Sequence, residues 1–90
     1  MYKVIFSSDA QKSLLKLQKY SHTSIKKLAS LIDELAEHPR NGTGKPEQLK
    51  YYKDIDVWSR RISKEHRLVY IIEDGAKLIN VVSVYGHYER

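Results

Sequence analysis

The chain has 90 residues, enough for one domain and near the small end of lengths that fold unaided. Its 16 Lys and Arg outnumber 11 Asp and Glu, giving a net charge of +5 and an isoelectric point near 9.5. A basic domain of this size points to a polyanionic partner: nucleic acid, ribosome or an acidic protein. It contains no cysteine, which excludes a disulfide framework, a thiolate nucleophile and cysteine-based zinc sites, and fits a reducing compartment.

The residues Met1-Tyr2-Lys3-Val4-Ile5-Phe6 are too short and too polar for a secretory signal, and no apolar run approaches the ~20 residues that span a bilayer. The expectation is a cytoplasmic protein with no membrane association. Tyr2 to Phe6 reads as a short strand. Ser7, Ser8 and Asp9 then offer side-chain oxygens to cap a helix whose apolar stripe is Ala10, Leu14 and Leu17. Ser21 to Ser24 breaks the pattern. A second helix follows, with Ile25, Leu28, Ile32 and Leu35 on one face, and the short connection predicts an antiparallel helical hairpin.

His38 to Pro46 is expected to be loop, since it holds both prolines and two of the four glycines. Strand character begins at Val57. Val57 to Ser63 and His66 to Glu73 form a tight hairpin, and Asp74-Gly75 reads as a two-residue turn into a last strand, Lys77 to Tyr85. Strand, helix pair and antiparallel meander make a single α+β domain over residues 1–90. Its helices are expected on one face of the sheet, leaving the other free for chemistry.

Four short segments carry the chemistry: Gly44-Lys45-Pro46-Glu47 with Lys50; Trp58-Ser59-Arg60-Arg61-Ile62; Glu65-His66-Arg67-Leu68-Val69-Tyr70; and His87-Tyr88. Together they supply a carboxylate, an imidazole, several guanidiniums and an aromatic ring. That set can cut RNA without a metal: a base takes the ribose 2′-hydroxyl proton, fixed cations hold the phosphate, and an acid protonates the leaving 5′-oxygen. If Ser63-Lys64-Glu65 forms a three-residue turn, Arg61 faces Arg67 across the hairpin, and two like charges so placed favour an anion between them. Gly44-Lys45 lacks the glycine spacing and the Ser or Thr of a nucleotide-binding loop. His22 and His38 have no ligand spacing with an acidic partner, so no metal or other cofactor is expected. His66, beside Arg67 in a strand, reads as packed. The helix lysines, Lys26-Lys27 among them, read as contacts to ribosomal RNA.

With the two-residue turn at Asp74-Gly75, Arg67 would pair with Val82 and His87 would fall on the wrong face, unless Gly86 allows a bend.

These four segments, in order and at similar spacing, resemble the YoeB/Txe toxins of the RelE superfamily, found in bacterial toxin–antitoxin pairs. The resemblance implies a RelE-like fold and a ribosome-dependent endoribonuclease that cuts messenger RNA in the ribosomal A site. It implies that Glu47 is the general base, His87 the general acid and Arg67 the main phosphate-stabilising cation. Arg61 and Lys50 would support the phosphate, and Tyr88 would orient or stack on a base. The implied products are a 2′,3′-cyclic phosphate and a 5′-hydroxyl. A YefM-like antitoxin and a homodimer are the implied protein partners. The chain departs from the family pattern in the longer Tyr51 to Val57 connection, in Gly86 before His87, and in the Glu89-Arg90 extension. Two other readings stay open: a ParE-like toxin that poisons DNA gyrase on the same scaffold, and a non-catalytic module that binds RNA or the ribosome.

Overall fold

The computed structural model describes residues 1–53 and 55–86, the side chain of Tyr52 excepted. His87 and Tyr88, expected from the sequence to serve the site, lie outside these described residues. In chain order the elements are β1 (Lys3–Phe6), α1 (Ser8–Tyr20), a 3₁₀ turn (His22–Ser24), α2 (Ile25–Glu37), β2 (Glu47–Tyr52), β3 (Ile55–Arg61), β4 (Arg67–Glu73) and β5 (Leu78–Ser83). The strands form one sheet in the order β1-β5-β4-β3-β2. β2 to β5 are antiparallel neighbours, and β1 joins the far edge parallel to β5.

The helix starts follow from local chemistry. Ser7 is extended, and its hydroxyl accepts the Ala10 amide at 3.0 Å, satisfying a donor the first helical turn leaves open. Asp9 near the start and Lys19 near the end complement the helix dipole. α1 buries Ala10 and Leu17, and α2 buries Leu28, Leu31 and Leu35. Ile25 and Ile32 pack at the margin of this cluster, so the buried stripe of α2 is centred on Leu31.

The sheet supplies the other half of the core. Tyr70 pairs with Val81 and Ile72 with Ile79, which places these residues on one face. They join Leu68 and Val84 against the helical leucines. A side chain of this kind contributes about 1.5–3 kcal/mol when fully buried, so this layer fixes the sheet on the helices. All residues of the opposite parity then point away from the helices.

Three local expectations are corrected. Glu47 to Tyr52 is a strand; as an edge strand with Leu49 its only aliphatic residue, it has no alternating apolar pattern. The last hairpin closes with Glu73 opposite Leu78, a four-residue turn. Asp74 accepts hydrogen bonds from Arg40 and from the Tyr2 hydroxyl, and Lys77 takes a left-handed φ of 53°. Finally, β5 bulges at Val82: Tyr70 pairs with Val81, but Val69 pairs with Ser83. The bulge is why Val81 and Val84, three apart, both reach the core.

Candidate active site

On the face away from the helices, cross-strand pairing brings the cleavage set together. Ile62 and Ser63 amides both donate to the His66 carbonyl, so Ser63-Lys64-Glu65 is the three-residue turn. Arg61 therefore lies directly opposite Arg67. Ser59, two residues before Arg61 and on the same face, pairs with Val69 on one side and with Glu47 on the other. Glu47 thus sits diagonal to Arg61, a spacing of about 7–8 Å between Cα atoms that long side chains span.

β2 reaches this arrangement through a bulge. Glu47 pairs with Ser59 and Gln48 with Trp58, but Lys50 pairs with Val57, leaving Leu49 as the extra residue. Glu47 and Lys50 are three apart and would otherwise face opposite ways; the bulge puts both on the open face. Gln48 keeps the other parity, where it and Trp58 donate to Asp56 at 2.7 and 2.8 Å.

A cleft of about 340 Å³ is lined by Lys45, Pro46, Glu47, Arg61 and Arg67. Lys50 lies farther along β2, outside this lining. Glu47 and Arg61 are exposed and Arg67 is half-buried. Among the described residues, none of Glu47, Lys45, Arg61 and Arg67 makes an ion pair. Two guanidiniums side by side without a carboxylate between them repel by roughly 0.2–1 kcal/mol. An anion bound there relieves the repulsion.

The loop before Glu47 is held from beneath by Arg60. This side chain has no solvent exposure. Its guanidinium donates to Glu34 at 2.6 Å, to the Asn41 carbonyl at 2.8 Å, to the Tyr70 hydroxyl at 3.1 Å and to the His38 carbonyl. Tyr70 in turn donates to the Pro39 carbonyl at 2.7 Å. The Thr43 amide, against some opposition from burial, then the Thr43 hydroxyl and Arg60 together hold the Glu34 carboxyl below its ordinary range. Burial raises the Tyr70 phenol, with Arg60 opposing. Gly44 closes the loop onto β3: its carbonyl accepts from the Arg61 amide at 2.6 Å. Gly44 has a φ of 87°, and a Cβ there would stand 2.9 Å from the Arg61 carbonyl oxygen.

The chain also returns to the site at its far end. The Gly86 carbonyl accepts from the Arg67 amide at 3.0 Å, and its amide donates to His66 Nδ1 at 2.9 Å. His66 is buried and stacks on Tyr85 with centroids 4.6 Å apart, which makes it the anchor of this segment. The sequence marked His66 as packed but gave no sign of what it holds. Lys45 and Arg60 were likewise missed. Lys45 borders Glu47, and a fully buried arginine beside an exposed one has no sequence signature.

A larger cleft, about 640 Å³, opens at the opposite end of the strands and includes Arg40, Asp56 and Asp74. Arg40 is already engaged there, at 2.8 Å to Asp56 and 2.7 Å to Asp74. Its hydrogen bonds to Asp74 and then Asp56 raise its guanidinium further. Burial pushes the Asp56 carboxyl up, but donors from Gln48, Arg40 and Trp58 outweigh it and hold the group low. That end is electrostatically closed, and the Glu47 end is open.

Residues 6–88 match the family model of the YoeB-like toxin of bacterial type II toxin–antitoxin systems. The Toxin YoeB of Synechocystis is 40% identical over 88 residues, 98% of this chain and 99% of the relative. The YoeB/ParE toxin from Agrobacterium tumefaciens superposes with a TM-score of 0.82 at 31% identity, covering 96% of this chain and 99% of that one. YoeB of Staphylococcus aureus is similar both as a dimer (33% identity, TM-score 0.78, covering 97% and 98%) and in a heterotetrameric complex with YefM (32%, 0.75, covering 98% and 99%). The chain belongs to the YoeB-like toxins of bacterial type II toxin–antitoxin systems.

Proposed function

We propose that this toxin is a ribosome-dependent endoribonuclease that cuts messenger RNA in the ribosomal A site. The observation that carries the reading is the single cleft shared by Glu47, Arg61 and Arg67, with its cations unneutralised among the described residues. Glu47 removes the proton from a ribose 2′-hydroxyl. The 2′-oxygen attacks the adjacent phosphorus as the bond to the 5′-oxygen breaks. His87 donates a proton to that oxygen, leaving a 2′,3′-cyclic phosphate and a 5′-hydroxyl. Each positioned proton-transfer group contributes on the order of 100-fold or more to such a reaction. Arg67 is the main cation on the crowded phosphate, seconded by Arg61 and by Lys50. Tyr88 orients or stacks on a messenger base. The Gly86 contact to the Arg67 amide supports this assignment of the two residues that follow it.

The chain acts in the cytoplasm as one RelE-like domain, without a metal. Among the described residues no helix is long and apolar enough to cross a membrane. A YefM-like antitoxin neutralises it, a reading supported by the Staphylococcus aureus YoeB–YefM complex, and it forms a homodimer, a reading supported by the Staphylococcus aureus YoeB dimer. Ribosomal RNA is the further polyanion its basic surface engages.

Purified protein incubated with programmed ribosomes, followed by mapping of messenger ends, tests the proposal. Cuts confined to the A-site codon are expected. Intact messenger on toxin-bound ribosomes supports the binding module instead, and intact messenger together with gyrase inhibition supports the ParE-like reading.

A further inference from the structure

The basic surface continues past Arg61. A second cleft, also about 340 Å³, opens beside the first, and Lys45 and Arg61 line both. Lys27 reaches it from α2 and Lys64 from the β3–β4 turn, with Ile62 as its apolar wall. Lys27, Lys45, Arg61 and Lys64 bring four cations and no carboxylate to this lining. None of them makes an ion pair among the described residues. The contrast with the Arg40 end is direct, because there the cation is already paired with carboxylates of the protein.

Lys45 sits on the ridge between the clefts in an unusual backbone state. Its φ is 51°, directly after Gly44 at 87°. A non-glycine residue in the left-handed region is strained and persists only where its surroundings impose it. Here the imposing contact is the Gly44 carbonyl on the Arg61 amide. That contact holds the Lys45 backbone where both clefts meet. RNA repeats its phosphate at every nucleotide, so a strand with one phosphate in the Glu47 cleft brings the next to this second cleft.

We propose that the second cleft is a phosphate subsite for the RNA substrate. Lys27 and Lys64 grip the phosphate next to the scissile one, and Lys45 and Arg61 are shared between the two. The inference rests on the nuclease reading in placing the scissile linkage in the first cleft. An acidic segment of a protein partner would meet the same cations, but the continuity with the Glu47 cleft favours a polymer that crosses both.

The test uses a fully 2′-O-methylated RNA heptamer, which cannot be cut, in direct binding to the whole chain. Each linkage in turn is made a neutral methylphosphonate. Coupling to Arg67→Ala identifies the linkage in the first cleft. At one adjacent linkage, neutralisation is expected to weaken wild-type binding roughly fivefold, the scale of a single exposed ion pair. In the Lys27→Ala/Lys64→Ala variant neutralising that linkage is expected to weaken binding less than it does in the wild type, with the others unchanged. Both lysines are exposed, and circular dichroism checks that the variant keeps its fold. Equal sensitivity of variant and wild type at every linkage overturns the subsite. So does wild-type affinity in the variant, or the absence of saturable binding by the wild type. Messenger cleavage on ribosomes is scored separately. Coupling without cleavage keeps the subsite and removes the nuclease; cleavage without coupling does the reverse.

Discussion

Arg60 points from β3 toward the helices and is wholly buried, while Arg61, next in the chain, lies on the open face and is exposed. The first donates to a carboxylate, a phenol and loop carbonyls; the second has no ion pair among the described residues. One strand thus carries the cation that holds the Glu47 loop and the cation proposed to serve the candidate site. Alternation along β3 separates the two, so the loop carrying Glu47 is fixed without using charge from the face proposed to meet substrate.

Removing Arg60 is expected to have the largest effect on stability. Arg60→Ala leaves Glu34 and several loop carbonyls without their partner, and breaking such a buried pair costs about 3–5 kcal/mol. Denaturant unfolding measures it. Arg61→Ala, read the same way, should be within about 0.5 kcal/mol of wild type.

On cleavage the order reverses. Glu47→Ala and Arg67→Ala are each expected to lower the rate on ribosomes by about 100-fold or more with unfolding midpoints kept. An equal fall in midpoint and rate would mean these residues act through stability alone.

Gly44→Ala sharpens the link between the two regions. The added Cβ is forced into a left-handed φ and against the Arg61 carbonyl. A loss of about 1–3 kcal/mol is expected, together with reduced cleavage because Glu47 shifts. A loss of stability with full activity would uncouple the loop from the site.

Acid should weaken the paired regions. Hydrogen bonds from Arg40 and Tyr2 hold Asp74 below its ordinary 3.8; donors to Asp56 and Glu34 hold these below 3.8 and 4.5 despite burial. A carboxylate depressed in the folded state contributes stability above its ordinary value and loses it as pH falls through the folded value. The unfolding midpoint should therefore decline as pH is lowered below about 4.5. Arg40→Gln should flatten the part of the decline owed to Asp56 and Asp74. An unchanged slope would remove Arg40 as its cause.

The smallest effect is expected at Ser59, whose buried hydroxyl has no hydrogen-bond partner among the described residues. Ser59→Ala should be neutral or slightly stabilising, within about 1 kcal/mol.

Much of this arrangement was legible in the residues. The helix cap at Ser7, the two apolar helix faces and the β3–β4 hairpin follow from local rules, and the Arg61–Arg67 pairing follows once the turn is known to be three residues long. What was not legible depends on register. β2 is polar because it is an edge, and its bulge at Leu49 decides the facing of Lys50. The four-residue turn after Glu73 depends on Arg40 and Tyr2 capturing Asp74, partners 34 and 72 residues away. The bulge at Val82 shifts the register before Gly86 meets Arg67, while His87 itself lies outside the described residues. Arg60 could not be told from Arg61, because a pair of arginines reads as a solvated face until the strand is placed.

The central claim is that the open end of the sheet performs acid–base cleavage of RNA with Glu47 as the base. The most direct measurement is the end chemistry and rate of messenger cut on programmed ribosomes by wild type and by Glu47→Gln. The account predicts 2′,3′-cyclic phosphate and 5′-hydroxyl ends from the wild type, and at least roughly 100-fold slower formation of the same ends by the variant. Equal rates from the two proteins, or 5′-phosphate ends from the wild type, would contradict it.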